Sequence, residues 1–156
     1  MTSKTIFAAG CFWGVEEKFN SIKGVIETEV GYIGGSITNP SYEDVCRGNT
    51  NHAEAVRIYF DEDVISFDNL LDIFFEIHNP TTLNSQGLDI GTQYRSAIFY
   101  QDEFQKLSSQ NKINELNRAK FNNSIVTSIE HSEIFWIAEE YHQKYIKKKK
   151  FNFFSK

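Results

Sequence analysis

Two periodicities alternate along this chain, and the switches between them outline its elements. Residues 5–9 are a short apolar run that reads as a strand. A helical pattern follows over 12–22, with Phe12, Val15, Phe19 and Ile22 on one side and Glu16, Glu17 and Lys18 on the wet side. Gly24 ends it. Period two returns over 25–32, where Ile26, Thr28, Val30 and Tyr32 share one face and Glu27 and Glu29 the other. Gly34-Gly35 and Asn39-Pro40 mark a loop before a short helical turn over 42–46.

A further strand is predicted over 53–60, closed by the acidic turn Asp61-Glu62-Asp63. Ser66 suits the N-cap of a helix through Leu70, Leu71, Ile73, Phe74 and Ile77, which Pro80 stops. A polar loop runs over 79–93, a length that is usually functional or disordered. Residues 96–100 are a compact strand, and Asp102 with Gln105 resembles a capping box opening a helix to about 120. A strand over 125–129 and a helix over 138–148 complete the pattern. Strands alternate with helices, but the helices are few and the strands short. That predicts an α/β two-layer sandwich on a mixed or antiparallel sheet rather than a doubly wound parallel one.

Composition narrows the class. With 156 residues the chain is expected to be one domain spanning 1–156, with a short Lys- and Phe-rich tail from about 147. Hydrophobic residues at 40% and charged ones at 24% describe an ordinary globular protein. A formal charge of −5 speaks against nucleic acid as a partner and suits a soluble, cytoplasmic protein. The longest apolar stretch, around 70–75, is far short of the roughly 20 residues a membrane span needs. No G-x-G-x-x-G or G-x-x-x-x-G-K-[ST] motif follows a strand, so no nucleotide site is expected.

Cys11 and Cys46 match neither a zinc spacing nor a C-x-x-C pair; they leave one bridge open and fit a reducing compartment. Residues 7–11 resemble a lipoprotein cleavage site, yet only Ile6 to Ala9 precede it as an apolar run, where a signal needs about 7–15 residues. Lipid attachment is therefore not expected. The tail, Lys147 to Lys150 followed by Phe151, Phe153 and Phe154, is expected to be a solvated, partly disordered end rather than a membrane or acidic-partner contact.

Chemistry concentrates in Gly10-Cys11-Phe12-Trp13-Gly14, at a strand-to-helix turn. Free N–H groups at a helix start favour a thiolate by about 0.3–1 kcal/mol. That would lower the Cys11 thiol from about 8.5 by roughly one unit. The competing reading is a small buried core residue. Period two puts Glu54 on the face of Val56, Ile58 and Phe60, so this carboxyl is either paired with an arginine, frayed at a strand end, or raised in pKa by desolvation and able to donate a proton. Tyr32, Tyr42 and Tyr94 lie at element ends where their hydroxyls can reach a polar substrate oxygen or simply pack. His52, His78, His131 and His142 show no metal-binding spacing, though His52 leaves a Cys-His pair open.

Taken together, these stretches resemble a family, the A-type peptide-methionine sulfoxide reductases. The resemblance starts at Gly10-Cys11-Phe12-Trp13-Gly14 and runs through Gly31-Tyr32-Ile33-Gly34-Gly35, Asn39-Pro40-Ser41-Tyr42-Glu43-Asp44-Val45-Cys46 and His52-Ala53-Glu54-Ala55-Val56. It continues with His78-Asn79-Pro80-Thr81, Gln86-Gly87-Leu88-Asp89-Ile90-Gly91-Thr92-Gln93-Tyr94-Arg95-Ser96 and Ala138-Glu139-Glu140-Tyr141-His142-Gln143. It implies a ferredoxin-like α/β plait and reduction of the S epimer of methionine sulfoxide, free or in proteins. It also implies Cys11 as nucleophile, Glu54 as proton donor, Tyr42 and Tyr94 on the sulfoxide oxygen, Phe12 and Trp13 around the methyl group, and Asp89 lining the site.

A C-terminal resolving cysteine, common in the family, is missing here. The resemblance therefore points to a one-cysteine type, acting as a monomer without metal or bound cofactor, and recycled by thioredoxin or by glutathione with glutaredoxin. Cys46 as resolving cysteine is the alternative. Asn79, Ser85, Leu88 and Ile137 also depart from the pattern and would retune the rim alone. Two other classes stay open: another cysteine-dependent enzyme, such as a thiol peroxidase or a hydrolase with a histidine base, and a non-catalytic module whose aromatic pocket binds methyl-bearing peptides.

Overall fold

The computed structural model describes residues 2–131 and 134–154. In chain order its elements are β1 (Thr2–Ala9), α1 (Phe12–Asn20), β2 (Val25–Ile33), α2 (Tyr42–Cys46), β3 (Ala53–Asp61), α3 (Phe67–Glu76), the hairpin β4 (Ser85–Gln86) and β5 (Asp89–Ile90), β6 (Ser96–Tyr100), α4 (Glu103–Leu116), β7 (Ser128–His131), β8 (Trp136–Ile137) and α5 (Tyr145–Phe154). The main sheet has the order β7-β6-β1-β3-β2-β8. Its described pairs are antiparallel except β6 with β7, which α4 connects as a parallel crossover. The expected mixed α/β sandwich is what the chain forms.

The two faces of the sheet are unequal, and this follows from strand phase. Phe7, Val30, Tyr32, Val56, Ile58 and Phe60 point to one side, where Phe12, Val15 and Phe19 of α1 and Leu70, Leu71 and Phe74 of α3 cover them. Burial of each such large side chain is worth about 1.5–3 kcal/mol. Ile6, Ala8, Ile33, Ala53, Ala55, Ala97 and Phe99 form a thinner second layer with Phe135 against it. Caps fall where the sequence placed them. Ser66 Oγ accepts from Asn69 N, and Asp102 Oδ1 accepts from Gln105 N at 2.8 Å.

Three expectations need correction. The strand expected over 125–129 starts only at Ser128, because Ile125 N and Val126 N are taken by Asn117 Oδ1 and Pro80 O. The helix expected over 138–148 is broken. Ala138 N donates to Val30 O, the Gln143 side chain bonds both backbone groups of Val30, and Lys144 turns the chain at φ +54. Helical hydrogen bonding loses there to completing the edge of β2. The tail is helical to Phe154 rather than disordered, pinned by Lys150 to Glu17 at 3.0 Å and by Tyr145 stacked on Trp13; Ser155 and Lys156 lie outside the described residues. The 79–93 loop is ordered by the small hairpin and by a helical turn at Thr92–Tyr94.

Candidate active site

The turn between β1 and α1 places the thiol. Gly10 takes φ +94, a conformation that L side chains rarely adopt, and a Cβ there would come within 2.9 Å of Gln86 in β4. The reversal makes Cys11 the N-cap residue of α1, half-buried beside the helix's first free N–H groups.

β3 brings Glu54 to the same place from below. Its strand phase is as expected, it lies opposite Tyr32 in the β2–β3 register, and it is 1% exposed. Among the described residues no arginine pairs with it; Oε1 accepts instead from the backbone N–H of Phe12 at 3.2 Å. Burial, the largest effect, raises this carboxyl to about 7, with the charge of Asp89 adding to it and the Phe12 N–H opposing.

The walls are aromatic. Phe12 is buried against Tyr32, with ring centroids 5.7 Å apart. The Trp13 indole lies flat on Tyr145 at 3.9 Å, and its Nε1–H donates to His142 Nδ1 at 2.9 Å. Tyr42 opens α2, whose start is fixed by a capping box between Ser41 and Asp44 and by Glu139, which accepts from Tyr42 N and from the Tyr32 hydroxyl at 2.9 Å each. The helical turn after β5 presents Tyr94. Burial raises the Tyr42 hydroxyl, which hydrogen-bonds the Cys46 thiol one helical turn later. It raises the Tyr94 hydroxyl to about 12, with further contributions from Glu54, Cys46, Asp89 and Cys11. Both phenols therefore stay protonated as donors, and all the expected site residues lie in one cluster.

The thiol itself departs from expectation. The Trp13 and Gly14 N–H groups do favour the thiolate, but burial outweighs them, and the charges of Glu54 and Asp89 add to it, so Cys11 rises to about 11. Between about 7 and about 11 the Cys11–Glu54 pair thus holds one proton. When that proton sits on Glu54 the site offers a thiolate and a carboxylic acid at once. Such a pair is suited to attacking an atom that carries a basic oxygen, with the acid and the two phenols on the oxygen.

His52 takes no part in this. Its Nδ1 accepts from Gly35 N and its Nε2 faces Ile37 O at 2.7 Å, which spends both nitrogens on the loop after β2. A hollow of about 820 Å³ beside the end of α3 is lined by His78, but that ring is likewise spent on Phe74 O and Ser96 Oγ. Sequence reasoning gave no structural role to Glu139, His142 or Tyr145. No local spacing signals them, since each acts on an element more than ninety residues away. No cluster of three metal-ligating side chains occurs among the described residues.

Comparison with known proteins agrees with this geometry. The family described as "Peptide methionine sulfoxide reductase" matches residues 3–155. A relative from Methanosarcina acetivorans, "Peptide methionine sulfoxide reductase MsrA", is 54% identical over 95% of this chain and 79% of its own length. Among solved structures, reduced Mxr1 from Saccharomyces cerevisiae superposes with a TM-score of 0.88 at 39% identity, over 96% of this chain and 86% of that one. Mxr1 in complex with Trx2 has a TM-score of 0.64 at 29% identity, over 92% and 84% of the two chains.

Proposed function

The chain belongs to the peptide methionine sulfoxide reductase family, A type, and we propose that Cys11 is its nucleophile and Glu54 its proton carrier. It is an oxidoreductase that reduces methionine sulfoxide with thiols as reductant. The observation that carries the assignment of roles is Glu54, buried against Phe12 N–H with its pKa pushed up to about 7 beside the one thiol at a helix start.

The substrate's S-methyl group packs on Phe12 and Trp13, and its oxygen takes hydrogen bonds from Tyr42, Tyr94 and the protonated Glu54. Asp89 lines the same site. A sulfoxide sulfur is a weak electrophile until its oxygen is protonated. A bound sulfoxide oxygen favours the tautomer with the proton on Glu54, and that tautomer is the one with a thiolate at Cys11. Cys11 Sγ attacks the substrate sulfur while Glu54 delivers the proton to the oxygen. The oxygen ends on Sγ and the sulfide leaves, so thiol plus sulfoxide become sulfenic acid plus methionine. The substrate sulfur is reduced by two electrons and Cys11 is oxidised by two. A second thiol then condenses with the sulfenic acid, releasing water, and a further thiol reduces the resulting disulfide.

The yeast relative solved with Trx2 supports thioredoxin as the recycling partner. Glutathione with glutaredoxin would serve the same step. We assign the S epimer from the A-type resemblance, a monomer from a site that is complete within one chain, and the cytoplasm from two free cysteines. With dithiothreitol the folded protein should reduce methionine S-sulfoxide, and Cys11→Ser should abolish turnover; a folded protein without turnover would overturn the assignment.

A further inference from the structure

The hairpin that carries Asp89 bears an apolar surface that the fold does not use. Within 83–90, Leu88 is 99% exposed, Ile90 79% and Leu83 71%. The hairpin's attachment is polar instead. Asn79 N donates to Gln86 Oε1 at 3.0 Å, the Thr82 hydroxyl to Ser85 O at 2.6 Å, and Gly91 N to Asn84 O at 2.8 Å. Gly87, at φ +57, makes the two-residue turn, and only two register pairs close it. Neither the Leu88 nor the Ile90 side chain takes part in these contacts.

The position of this surface gives it meaning. Gln86 of β4 lies against Gly10, where a Cβ would come within 2.9 Å of it, so the hairpin borders the turn that carries Cys11, and the charge of its Asp89 reaches Cys11, Glu54 and Tyr94. Successive side chains on a strand point to opposite faces. Asp89 and Ile90 thus point to opposite sides of β5 and are both exposed, and Leu88 sits in the turn at the hairpin's tip. A methionine side chain entering the site leaves its backbone outside. An extended chain advances about 3.3 Å per residue, so the residues flanking that methionine run over the surface around the site, which the hairpin borders.

We propose that Leu88 and Ile90 form an apolar rim that binds the residues flanking an oxidised methionine, so that polypeptide segments with apolar residues beside that methionine are the favoured substrates. The inference rests on the reading of the Cys11 site given above.

The test uses the full chain with dithiothreitol and three substrates: N-acetylmethionine sulfoxide, a peptide with Leu and Val on both sides of the sulfoxide, and a peptide with Ser and Gly there. Leu88→Asn/Ile90→Thr should lower kcat/KM for the apolar peptide by roughly fivefold, the scale of one partly buried aliphatic side chain, through KM. The other two substrates should be unchanged. An equal effect on all three, or none on the apolar peptide, overturns the proposal. So does a defect that appears only when thioredoxin replaces dithiothreitol, since the rim would then serve the reductant. If the unaltered protein fails to reduce even N-acetylmethionine sulfoxide, the reading of the site falls first and this rim with it.

Discussion

The Trp13 indole N–H donates to Nδ1 of His142 across 2.9 Å, joining the first helix to a turn 129 positions further along the chain. The bond makes Nδ1 an acceptor and puts the ring's single proton on Nε2. Burial holds His142 below the usual histidine range, which preserves this neutral form. With Tyr145 stacked on its other side, Trp13 is held at a fixed angle over the site.

Replacing His142 should therefore act on substrate binding more than on the chemical step. His142→Phe leaves the indole N–H without its acceptor, a loss of about 1 kcal/mol or roughly fivefold in KM. His142→Gln, which retains an acceptor, should recover most of it. Stability should change little in His142→Phe, because the variant also removes Nε2, a buried donor with no partner among the described residues. Steady-state kinetics with tryptophan fluorescence checks the pair, and a kcat loss without a KM change would contradict the positioning role.

The Cys11–Glu54 pair sets a pH profile. Reaction needs the pair to hold one proton, so the single-turnover rate should rise through about pH 7 and level off until about 11. Glu54→Gln should cost about 10²–10⁴ in that rate. Its limb should move up towards the Cys11 value, itself lowered because the Glu54 charge is gone. A limb left near 7 in the variant would assign it to another group.

The same carboxyl links pH to stability. Glu54 rises from 4.5 to about 7 on folding, so the folded state binds its proton more tightly. The contribution is fully present below about 4.5 and is lost as pH climbs through 7, up to about 3 kcal/mol. Glu54→Gln should thus be less active and, above pH 7, more stable than the native protein. Thermal unfolding at pH 5 and pH 8 reads this directly.

Cys46 offers a thiol to the same cluster, where it hydrogen-bonds the Tyr42 hydroxyl. Cys46→Ser keeps a donor and acceptor there, so turnover with dithiothreitol should stay within about twofold, one hydrogen bond being replaced by another. After one equivalent of substrate, mass spectrometry of the native protein should show one added oxygen on Cys11. A Cys11–Cys46 disulfide would make Cys46 the resolving cysteine.

Gly10→Ala should be disproportionately harmful. It forces an L side chain to φ +94 at about 1–2 kcal/mol. It also drives a methyl group into Gln86, 2.9 Å away, displacing the hairpin that carries Asp89. Lower unfolding temperature together with reduced turnover is the expected outcome.

Much of this protein is written locally. The alternation over β3 put Glu54 on the core face, and the caps at Ser66 and Asp102 fall where expected, because strand phase and helix ends depend on near neighbours. The seven ordered motifs likewise placed Cys11, Tyr42, Glu54, Asp89 and Tyr94 in one family's arrangement. Tertiary structure decided the rest. Residues 138–143 gave up a helix to complete the edge of β2, and Lys144 turned the chain so that α5 could set Tyr145 on Trp13. It also reversed the sign for Cys11. A helix start alone favours the thiolate, yet burial under the hairpin, with Glu54 and Asp89 nearby, keeps the proton. Desolvation and through-space charge sum over everything packed around a group, and packing is what a linear pattern does not contain.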